Sequence, residues 1–82
     1  MSRLSEQIAI GLSVPKENET LASVLTILDE SIKAETALAL GPMDGSEKRA
    51  WQCGRADALT AFKEVLVAVR QEALKQRGLP VE

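Results

Sequence analysis

The sequence predicts an all-α fold: an antiparallel helical hairpin behind a short N-terminal arm or helix, with two chains associating into a bundle of four main helices. Three observations carry that expectation. Two long stretches, 18–40 and 46–77, repeat apolar residues at steps of three and four. Gly41-Pro42 separates them, and Gly78 and Pro80 follow the second, so helix-stopping residues stand where the periodicity ends. The 82-residue chain has no histidine and one cysteine, which leaves helix packing or self-association, not a disulfide or a zinc site, to stabilise it. A chain of this size buries only about 60% of the surface its unfolded form exposes.

Residues 1–17 form an arm with two competing patterns. Ile8, Ile10, Leu12 and Val14 alternate with Ala9, Gly11 and Ser13, which suits a strand, while Leu4, Ile8 and Leu12 recur every four residues, which suits a short helix. Pro15 closes the segment either way. Asn18 is placed to cap the first long helix, and Glu17 and Glu19 complement the positive end of its dipole. Leu21, Val24, Leu25, Leu28 and Ile32 make one broad stripe. Ile27 and Leu38 fall off it and point to a second covered face. Gly41 is expected in the left-handed position after the helix, before Pro42. The linker 41–45 is short enough to join antiparallel neighbours. The second long helix starts at Asp44 or Ser46, with Asp44 and Glu47 spaced like a capping box. It runs to about Arg77, with Lys75 and Arg77 in its last turn.

The second helix, about 45 Å long, outreaches the first, about 33 Å, at roughly 1.5 Å per residue. Something else must cover the remainder. Leu59, Phe62, Leu66, Val69 and Ala73 follow alternating steps of three and four, a coiled-coil-like seam assigned to a homodimer surface. Ala50, Gly54 and Ala58 form a small-residue ridge that lets another helix approach, inside the hairpin or across a dimer. Trp51 reads either as an interface anchor or as a core residue near Leu38 and Met43.

The formal net charge is −2, so nothing attracts a polyanion strongly and nucleic acid is not an expected partner. No run of 18 apolar residues suggests a membrane span. No export signal is apparent and the cysteine is unpaired, so a cytoplasmic location is expected. Acid–base chemistry lacks a histidine. Cys53, with Arg49 one turn before it, has no imidazole as a base and is expected as a buried or half-buried thiol. No enzyme activity, metal or cofactor is expected.

The stretch Lys48-Arg-Ala-Trp-Gln-Cys-Gly-Arg-Ala-Asp-Ala-Leu59, followed by an amphipathic helix, resembles segments of small phage-encoded helical accessory proteins. That resemblance implies a protein that acts by binding, as an assembly component or as an inhibitor of a host or defence machine. It assigns no residue a role. The expected function is a non-enzymatic protein-binding module whose partner the sequence does not identify. Asp29, Glu30 and Glu35 are a candidate acidic patch for a basic partner surface. The alternative is a dimeric DNA-binding regulator, because an alternating arm followed by two helices has the element order of a ribbon-helix-helix repressor. No base-reading side chain lies between Ile8 and Val14 to support it.

Overall fold

The computed structural model describes residues 3–42 and 45–82. They form three α-helices, α1 (Glu6–Leu12), α2 (Glu19–Leu40) and α3 (Ser46–Gln76). No strand occurs among the described residues, and none of these helices is long and apolar enough to cross a membrane.

Local chemistry explains each boundary. The Ser5 side chain accepts from the Ile8 amide and starts α1, so the four-residue pattern of the arm prevails over its alternation. Asn18 caps α2 by accepting from the Leu21 amide at 3.0 Å. The end of α2 differs from expectation. Gly41 is extended, with φ −77° and ψ 174°, and not left-handed. Pro42 supplies the reason, because a proline ring pushes the residue before it out of helical space. The last carbonyls of α2 are capped from a distance instead. Arg49 donates to Ala39 O at 2.6 Å and to Gly41 O at 3.1 Å. α3 begins with Gly45 at its cap and no side-chain cap bond. The expected Asp44 cap lies outside the described residues. At the other end Gly78 takes φ 70°, the Gly78 amide bonds Lys75 O and the Leu79 amide bonds Leu74 O at 2.8 Å. That pair of bonds is a Schellman closure, which a left-handed glycine permits.

α2 and α3 pack in opposite senses, since Gln52 meets Glu35 and Lys63 meets Asp29. α1 continues the line of α2 along the last turns of α3. Gln76 bonds both the amide and the carbonyl of Leu4, and Arg70 bonds the carbonyls of Leu12 and Val14. The two shorter helices in tandem therefore span the long one, and the arm supplies the length that α2 lacks.

The buried row on α3 starts at Gln52, Ala56, half-buried Leu59 and Lys63, continues through half-buried Leu66, and ends at Arg70, Ala73 and Leu74. Of the predicted seam, Ala73 is wholly buried within the chain, Leu59, Leu66 and Val69 are half-buried, and Phe62 is 55% exposed. A count of apolar residues alone shifts the row by one position, because three of its members are polar. Ile27 and Leu38 are not covered by any second layer; both are exposed.

Among the described residues the buried apolar set is small: Leu21, Leu28, Leu74 and four alanines. The molecule measures 51 × 27 × 19 Å, with a radius of gyration of 16.1 Å against roughly 12 Å for a compact chain of this length. Its accessible surface is 5974 Å² against roughly 4,800 Å² for a folded monomer of this mass. The shape is an elongated slab with little enclosed apolar core, whereas stable domains pack two or more layers around a core.

Candidate functional site

Successive residues of an α-helix turn by about 100°. Counted from the packed rows, Val24, Ile27, Ala34 and Leu38 of α2 project to the same broad side of the slab as Trp51, Ala58, Phe62 and Val65 of α3. A cleft fixes that side in space. Val24 and Leu66 line it together with Leu21 and with Gly11, Leu12 and Val14 of the arm. Ile27 is 64% exposed and Trp51 63%, and Val24, Leu38, Phe62 and Val65 are exposed with them. All six are exposed on one side of the molecule, where a monomer surface normally shows large apolar side chains scattered singly. Trp51 therefore does not serve as the core residue of the hairpin end.

One charged pair interrupts this face. Arg55 grips Glu35 with two bonds, Nε to Oε2 at 3.0 Å and Nη2 to Oε1 at 2.7 Å. The same guanidinium lies 5.0 Å from the centre of the Trp51 ring, within cation–π range. Gln52 donates to the Glu35 carboxylate and to its carbonyl oxygen. The Arg55 bonds first, then the Gln52 bond, hold the Glu35 carboxyl below its ordinary value, and the pairing raises the Arg55 guanidinium. The arrangement orients Trp51 without burying it.

The three residues of the candidate acidic patch are placed differently. Glu35 is engaged by Arg55 and Gln52, Asp29 pairs with Lys63, and Glu30 is exposed. Cys53 is exposed, not buried as expected. It stands two residues from Trp51, so it projects from the opposite side of α3. Arg49 is committed to the carbonyls that end α2. A Cβ added at Gly54 meets nothing within 4 Å, so packing inside the chain does not account for this glycine.

Beneath the cleft, Arg70 joins three segments. Its side chain is 8% exposed and donates to Leu12 O and Val14 O, both at 2.7 Å. It also bonds both Glu82 carboxylate oxygens, at 2.8 and 2.7 Å. Sequence reasoning found neither Arg70 nor Gln52 nor the capping role of Arg49. Their acceptors lie 8 to 58 residues away, and no spacing signals such a bond.

Among the described residues no three metal-ligating side chains come together. Residues 6–12 are helical, so the strand that the DNA-binding alternative needs is not formed. No protein-family model, curated protein or solved structure matches the chain.

Proposed function

We propose that this chain is a non-enzymatic protein-binding module, an antiparallel helical hairpin that closes its core by pairing with a second copy. The apolar face of α2 and α3 is the pairing surface, and the product is a bundle of four main helices. The paired module serves as an accessory protein of the kind implied by the resemblance of residues 48–59, an assembly component or an inhibitor.

One observation carries this reading: six large apolar side chains share one side of a slab that has almost no core of its own. A standard interface takes roughly 800 Å² from each partner, and six large exposed apolar side chains contribute directly to such a surface. Around the Arg55–Glu35 pair the face is apolar and carries an aromatic anchor, and aromatic residues are enriched in interface cores.

Sedimentation and light scattering test it. The wild-type chain is expected at twice its 8.9 kDa at micromolar concentration. Phe62→Asp is expected at the single mass with its helix content kept. A wild type that stays at 8.9 kDa up to millimolar concentration removes the reading.

A further inference from the structure

The pairing face carries both an anchor and a receptor. Trp51 stands at one end, exposed and steadied by Arg55. The cleft lined by Gly11, Leu12, Val14, Leu21, Val24 and Leu66 opens at the other. They are 15 positions apart on α3, about 22 Å at the helical rise, so Trp51 cannot reach the cleft of its own chain. A second copy can bring it there.

We infer that two copies pair about a two-fold axis crossing α3 at Ala58, so that Trp51 of each chain fills the cleft of the other. This rests on the reading of the face as a self-pairing surface and adds its geometry. A two-fold interface must be self-complementary: if residue i meets j, then j meets i. The midpoint between Trp51 and Leu66 falls between Ala58 and Leu59. Ala58 projects outward there, and Gly54 lies one turn before it with nothing within 4 Å of where a Cβ would stand. Two antiparallel α3 helices can therefore approach closely where they cross, while the bulky residue and the depression exchange places on either side. Val24 and Leu66 form the apolar part of the receiving surface. The arm helix α1 forms its rim, which gives the Arg70 clamp a second role: holding Leu12 and Val14 in place for the incoming ring.

The chain holds one tryptophan and no tyrosine, so fluorescence reports Trp51 alone. Emission and mass are to be followed together across a dilution series. The expected result is a blue shift that rises in step with the doubled mass. The decisive variant is Gly11→Leu. A Cβ there meets nothing within 4 Å and the change removes a helix-weakening glycine, while the rest of the leucine extends into the cleft that Gly11 lines. It should weaken pairing about tenfold or more, the scale of a blocked hot spot, and leave Trp51 emission at the solvent-exposed position at concentrations where the wild type is paired.

Circular dichroism at high dilution confirms that the variant folds. A doubled mass with unchanged Trp51 emission overturns the inference and leaves self-pairing standing. So does a Gly11→Leu chain that pairs and shifts like the wild type. A chain of single mass at every concentration overturns both.

Discussion

The two ends of α3 are held by different means. Around residues 66–77 the helix is wrapped by α1, by the turn at 13–18 and by the tail, and Arg70, Ala73 and Leu74 are buried. Around residues 46–58 it meets α2 alone. Ala56 is the one buried apolar side chain there, and the attachment is polar: Arg49 on the end of α2, Gln52 and Arg55 on Glu35. The difference shows where the chain spends its apolar residues on itself and where it leaves them outside. Burial stabilises the wrapped end within one molecule. The open end is positioned by hydrogen bonds, and its large apolar group, Trp51, remains available to another surface.

That contrast can be broken by mutation. Leu74→Ala should cost about 2–5 kcal/mol of unfolding free energy, the range for a truncated buried leucine. Leu38→Ala at the open end should change it by less than about 0.5 kcal/mol at dilutions where the chain is single. Equal losses in chemical denaturation would erase the distinction.

Arg70→Met should follow, at about 1–3 kcal/mol, because the half-buried carbonyls of Leu12 and Val14 lose their donor. Amide exchange of Ala9 to Leu12 should accelerate while that of residues 21–35 stays slow. If both segments loosen together, the arm is not a separate unit held by the clamp.

Acid sharpens the comparison further. Glu35, through Arg55 and Gln52, and Glu82, through Arg70, have folded carboxyls below their ordinary value of 4.5. Their contribution is therefore present above that value and is lost as pH falls through the lower folded values. Glu35→Gln should flatten the acid response of amides at the open end and leave that of the wrapped end unchanged.

The smallest effect is expected at Gly54. Gly54→Ala should stabilise the single chain by about 0.5–1 kcal/mol, because an interior helix glycine is costly and its Cβ site is open. The gain should shrink or reverse at concentrations where the chains pair.

Much of the fold was legible because helix ends carry local chemistry. Asn18, Pro42 and Gly78 mark boundaries that the structure keeps to within a residue. Gly41 was misread since its neighbour Pro42, not its own freedom, sets its backbone. The candidate surface was legible at Trp51 and Phe62, whose bulk stands out at exposed helix positions. It was misassigned at Ala73, which is wholly buried within the chain. The reason is that the buried row of α3 is completed by Gln52, Lys63 and Arg70. Each lays its stem along the seam while its polar end finds an acceptor on another segment, and apolar periodicity is blind to such residues.

The position of Cys53 has a consequence under oxidation. It projects from the side of α3 away from Trp51, so a face-to-face pair presents its two thiols outward, on opposite sides. Those sulfurs are then too far apart to bond each other within the pair. A disulfide at Cys53 would instead stitch one pair to the next, back to back, and two such links per pair give an open string with no built-in stop. A reducing environment would keep the proposed pair finite.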